Sequence, residues 1–84
     1  MTSHATRRRG EGQKELGQAI SLLRKRAGLT QAAIGKMAEL HQTQISNIER
    51  GRVDPTWGNV RRIAAALGTS VDRLAEVAEQ FKSG

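Results

Sequence analysis

The chain has 84 residues, room for one small domain that buries only about 60% of the surface its unfolded form exposes. It holds no cysteine and only two histidines, His4 and His41, which excludes disulfides and thiolate sites and leaves no cluster suited to a structural zinc or other metal. Fourteen basic against eight acidic side chains give a formal charge of +6, distributed as +2 over residues 1–15, +4 over 16–53 and zero over 54–84; a positive first two-thirds points to a polyanionic partner.

Residues 1–13 lack periodicity and are rich in Arg, Gly, Ser and Thr, a composition expected of a disordered basic arm. Arg7, Arg8 and Arg9 are either a solvated tail or an arm that reaches phosphates or the minor groove. The remainder, 14–84, reads as one all-α domain of five helices, with no strand-like alternation and no internal repeat.

The first helix is expected from about Lys14 to Ala27, where Leu16, Ile20, Leu23 and Ala27 make an apolar stripe that Gly28 stops. Thr30 is a good N-cap for a second helix that carries Ile34, Met37 and Ala38 on one face. It is too short to persist without packing partners. A third helix runs from Gln42 to Arg50, closed by Gly51, with only Ile45 and Ile48 apolar. Asp54 or Thr56 caps a fourth bearing Val60, Ile63, Ala64 and Leu67. Ser70 caps a fifth, whose stripe is Leu74, Val77, Ala78 and Phe81.

The third helix is the polar one. Gln42, Thr43, Gln44, Ser46 and Asn47 cover most of it, so it is either solvent-facing filler or displayed for binding. Amides offer a donor and an acceptor together, matching adenine's major-groove edge, and a threonine methyl suits thymine. A helix N-terminus also favours phosphate. Trp57 is expected to pack at the head of the fourth helix rather than to offer a stacking platform for bases, with its indole N–H still able to donate to a phosphate. His41 has no acid or nucleophile beside it in sequence and reads as a cap or phosphate-facing residue.

The longest purely apolar run, Ile63 to Leu67, is five residues, far short of a membrane span, and no apolar stretch follows the basic N-terminus. A cytoplasmic protein without membrane contact is expected. No catalytic constellation or phosphate-cradling glycine loop is present, so neither an enzyme nor a bound cofactor is expected.

The stretch from Leu29 to Ala38, continued through Glu39-Leu40-His41-Gln42-Thr43-Gln44-Ile45-Ser46-Asn47-Ile48-Glu49-Arg50-Gly51, closely resembles the phage-repressor-type (Cro/CI-like, XRE) helix-turn-helix family. The likeness extends through Pro55, the run Ile63 to Gly68 and the segment Ser70 to Leu74, so it covers about Leu16 to Leu74. It implies a repressor-like DNA-binding domain acting as a sequence-specific transcriptional regulator of double-stranded DNA. By that resemblance Gln42, Thr43 and Asn47 read bases, with Ser46 on the same face. Gln31, Gln44, Arg50 and Arg52 touch phosphate, and Arg24 pairs with Glu49. An 84-residue chain of this kind is similar to phage repressors and to restriction-modification controllers. Such a protein is expected to be a homodimer on a palindromic operator; the stripe of Leu74, Val77, Ala78 and Phe81 is either plain core or the dimer seam, and the seam is the expected reading. The alternative is an antitoxin with a toxin partner, or a protein-bridging adaptor on the same fold. Two positions depart from the family. Glu39 stands where glycine is usual, implying mild strain or a shifted turn. Gly35 stands where alanine is usual, at a place that needs a small residue for two helices to cross.

Overall fold

Apolar residues at helical spacing become five α-helices in the computed structural model, which describes residues 14–82: α1 (Lys14–Arg26), α2 (Gln31–Ala38), α3 (Gln42–Glu49), α4 (Trp57–Ala66) and α5 (Val71–Gln80). The basic arm expected over 1–13, and the last two residues of the expected domain, lie outside the described residues. Each of the first four helices contributes one fully buried isoleucine, Ile20, Ile34, Ile45 and Ile63, and α5 adds Leu74 and Val77. Burial of side chains this size stabilises by about 1.5–3 kcal/mol apiece. These six side chains hold together helices that could not persist alone.

Local chemistry sets the helix starts. Thr30 Oγ1 accepts the Ala33 N–H at 3.0 Å and Ser70 Oγ accepts the Arg73 N–H at 3.0 Å. Of the two candidates before α4, Thr56 is the cap, its Oγ1 accepting the Asn59 N–H at 3.1 Å. At the end of α3, Gly51 takes φ +73°, and a Cβ there would lie 3.0 Å from Lys14 Cα. Only glycine satisfies both demands without strain.

α1 packs against α5 and α3, while α2 packs against α3 and α4. α3 is therefore gripped between α1 and α2, with the rest of its surface left open. The turn between α2 and α3 keeps its regular form despite the missing glycine. Glu39 adopts φ 62°, ψ 42°, and Leu40 N–H closes on Gly35 O at 2.7 Å. Glu39 thus carries the left-handed backbone that favours glycine, and the strain expected there is present.

Several expectations need correction. Met37 is 55% exposed, because α2 buries only the edge carrying Ile34, Gly35 and Ala38. Ala27 falls past the end of α1 and is exposed. Trp57, expected to pack, is 64% exposed. Gly35 is small for the expected reason, a close approach of α2 to the start of α3, with the turn nearest: a Cβ there would stand 2.6 Å from Leu40 O and 3.3 Å from the backbone nitrogen of Gln42. Leu74 and Val77, expected to face a second protomer, are closed over within one chain at 0% and 2% exposure. The seam between α1 and α5 takes that part of the stripe, leaving Ala78 half-buried and Phe81 exposed.

Candidate nucleic-acid interface

The orientation of α3 follows from its two apolar residues. Ile45 and Ile48 are buried and fix which side of the helix faces the core. At about 100° per residue, Gln42, Ser46, Thr43 and Asn47 fall within an arc of about 140° on the other side. Gln42 and Thr43 are exposed, and Ser46 and Asn47 are half-buried. The four residues expected to read bases therefore share one face, with Gln42 and Thr43 leading at its N-terminal end.

Gln44 is exposed beside them, but its amide is partly committed. Its Oε1 accepts the His41 N–H at 2.9 Å, a reciprocal bond across the first turn that stabilises the start of α3. The NH2 end takes no part in that bond. Arg50, at the C-cap of α3, and Arg52, just beyond it, are exposed.

The far end of α3 is held by charge. Arg24 presents its fork to Glu49, with Nε–Oε2 at 2.6 Å and Nη2–Oε1 at 3.0 Å. Its third nitrogen, Nη1, donates to Leu29 O at 2.9 Å, just ahead of α2. Gln31 Nε2 donates to the same Glu49 carboxylate at 3.0 Å. One carboxylate thus ties α1, α2 and α3 together. The hydrogen bond to Glu49 is the main cause that raises the Arg24 pKa, while burial acts in the opposite direction. Both side chains are largely shielded, at 12% and 6% exposure, so the pair is partly withdrawn from water and neither charge is cheaply left alone. Gln31, expected at a phosphate, sits half-buried at the start of α2 and spends one amide hydrogen on Glu49.

Gly17 was not among the residues the sequence marked out. It is buried against α3, where the carbonyls of Ile48 and Glu49 occupy the space a side chain would need. Its signal was its place: glycine inside a helical pattern is costly and points to a close approach. Among the described residues no group of three or more His, Cys, Asp or Glu could hold a metal ion, and no helix is long and apolar enough to cross a membrane.

A short helix gripped at both ends, with an amide face turned outward, is the geometry of a DNA-reading helix-turn-helix. A family profile described as a helix-turn-helix domain matches residues 15–77. The chain belongs to the helix-turn-helix family of DNA-binding transcriptional regulators. Membership makes it a regulator and not an enzyme. It is 36% identical to the uncharacterized HTH-type transcriptional regulator y4dJ of Sinorhizobium fredii over 71 residues, 84% of this chain and 92% of that protein. It is 34% identical to the immunity repressor protein of Bacillus phage phi105 over 59 residues, 70% of this chain. The match spans only 41% of that repressor's length. In three dimensions it is similar to the restriction-modification controller protein C.AhdI from Aeromonas hydrophila, with a TM-score of 0.72 and 26% identity. That likeness covers 74% of this chain and 94% of the controller.

Proposed function

We propose that the protein is a repressor or controller that binds a palindromic double-stranded operator as a homodimer, with α3 of each protomer in the major groove. The observation that carries this reading is the outward face of α3. Gln42, Thr43, Ser46 and Asn47 share it, and the buried Ile45 and Ile48 leave it no other orientation. Gln42, Thr43 and Asn47 read base edges, with Ser46 beside them. Gln31, Gln44, Arg50 and Arg52 flank that face as phosphate contacts. The phage repressor and the controller among its relatives favour this class of regulator.

The homodimer is supported by the apolar surface that remains beside α5. Trp57 lines a shallow groove with Val71 and Ala75, and Ala78 continues that line along α5 towards Phe81, which is 38% exposed. The C-terminal third is charge-neutral, so two copies approach there without the repulsion of two basic faces.

Selection of duplexes from a random pool tests the reading. A symmetric consensus, with half-site centres about 34 Å or 10 base pairs apart, is the expected result. A pool that stays random after repeated rounds refutes sequence-specific reading.

A further inference from the structure

Arg62 stands on α4, outside the helix-turn-helix, yet it is bonded to it. Its Nε donates to the carbonyl oxygen of Ala38, the last residue of α2, at 3.0 Å. Its Nη2 donates to Asn59 Oδ1 at 2.6 Å, one turn back on its own helix. Ala38 itself is fully buried. Past it come Glu39 in the left-handed region, Leu40, and His41 as the N-cap of α3.

The carbonyls at a helix C-terminus have no partner within the helix. Here Leu40 N–H takes Gly35 O, and Arg62 takes Ala38 O from across the α2–α4 contact. That contact fixes the point from which the turn departs. The turn is three residues long, so a displacement at Ala38 passes directly to Gln42 and Thr43. The two ends of the motif are thus held by two arginines from outside it. Arg24 of α1 holds the end of α3 through Glu49, and Arg62 of α4 holds the turn at the start of α3.

We infer that Arg62 is a positioning residue that sets the N-terminal end of α3 against the bases, and so tunes sequence discrimination without touching DNA. The inference rests on the reading of α3 as the base-reading helix. Arginine suits the task because its planar fork satisfies Ala38 O and Asn59 Oδ1 at once, in fixed directions. Lysine carries the charge but offers one compact donor head, so it cannot span both acceptors in the same geometry.

The test uses the full 84-residue chain and two duplexes, one selected by the wild type from a random pool and one shuffled to the same composition. Affinity for each is measured across a salt series for wild type, Arg62→Lys, Arg62→Met, Asn59→Ala and Gln42→Ala. Positioning predicts that both Arg62 variants lose about tenfold in the ratio of the two affinities, the equivalent of one good hydrogen bond. Asn59→Ala loses a smaller factor in the same direction, and all three keep the wild-type salt slope. Helical circular dichroism shows which variants fold; if Arg62→Met does not, Arg62→Lys and Asn59→Ala decide. An equal loss on both duplexes, with the slope smaller by about one per protomer and restored in Arg62→Lys, makes Arg62 a phosphate contact and overturns positioning. A ratio that falls in Gln42→Ala but holds in the Arg62 variants overturns positioning and leaves α3 as the reader. A ratio unchanged in all of them overturns both.

Discussion

A Cβ added to Gly17 would stand 2.6 Å from the carbonyl oxygen of Glu49, so α1 and the end of α3 meet backbone to backbone. Gly17→Ala should therefore destabilise the fold although alanine is the better helix former. Forcing a methyl into so tight a contact costs about 1–3 kcal/mol, against a propensity gain of about 1 kcal/mol. Thermal unfolding should show a midpoint lowered by about 4–8 °C for each net kcal/mol lost. An unchanged or raised midpoint would mean that the helices separate more easily than their contact implies.

The Arg24–Glu49 pair is buried enough that halving it is worse than removing it. Glu49→Ala leaves a guanidinium in the interior without its partner and should cost about 3–5 kcal/mol. The double replacement Arg24→Met with Glu49→Leu should recover most of that loss, since apolar side chains of similar volume can fill the same space. The Arg24 pKa is raised in the folded state by its bond to Glu49, so its contribution is undiminished from neutral to mildly alkaline pH. It disappears only as pH rises through that raised value in strongly alkaline solution. Denaturant titrations at several pH values should show the difference between wild type and Glu49→Ala unaltered by arginine titration from neutral to mildly alkaline pH.

Glu39 holds φ 62° where an L-residue is strained by about 1–2 kcal/mol. Glycine relieves that strain but adds freedom to the unfolded chain. Glu39→Gly should raise stability by about 0.5–1 kcal/mol, read as a higher denaturant midpoint with an unchanged slope. Glu39→Ile, branched at Cβ, should lower it.

Much of the fold was legible because it is written in local spacing. Ile34 and Ala38, Ile45 and Ile48, and Val60, Ile63 and Ala64 each stand at helical spacing within one helix, and Thr30, Thr56 and Ser70 are caps whose partners lie three residues on. The face of α3 was legible for the same reason, since two isoleucines on a polar helix leave one orientation. What the sequence hid is set by packing between distant segments. An apolar stripe states that something covers it, not what; Leu74 and Val77 close into the chain's own core, where α5 packs against α1 and α4, and a second chain is not needed for them. Arg62 meets Ala38 across 24 positions, and no periodicity links the two.

Binding should separate readers from anchors. Gln42→Ala and Asn47→Ala should each cost about 1–3 kcal/mol on the preferred site and relax base preference there. Arg52→Ala should weaken all duplexes about equally and reduce the salt slope. If a dimer neutralises about 6–10 phosphates, log K should fall against log[salt] with a slope of about −5 to −9. Fluorescence anisotropy on labelled duplexes measures both effects, and a slope near zero would remove the DNA-backbone contacts from the account.

The proposed dimer seam is open to a direct test at Phe81. With Leu74 and Val77 enclosed in the monomer, the seam has to use side chains that still have surface, and Phe81 at the C-cap of α5 is one. Placing a carboxylate there leaves the core intact, because Phe81 is not among its buried residues. Phe81→Asp should therefore keep its helicity and melting behaviour at low protein concentration, while burying an unpaired charge in an interface built on Phe81. Sedimentation should then show monomers where the wild type shows dimers. Operator binding should weaken sharply, since the second half-site is no longer met at high effective concentration. A Phe81→Asp protein that still sediments as a dimer would move the seam along α5 to the groove beside Trp57. There Trp57→Glu is the corresponding variant, and loss of the dimer is again the expected sign.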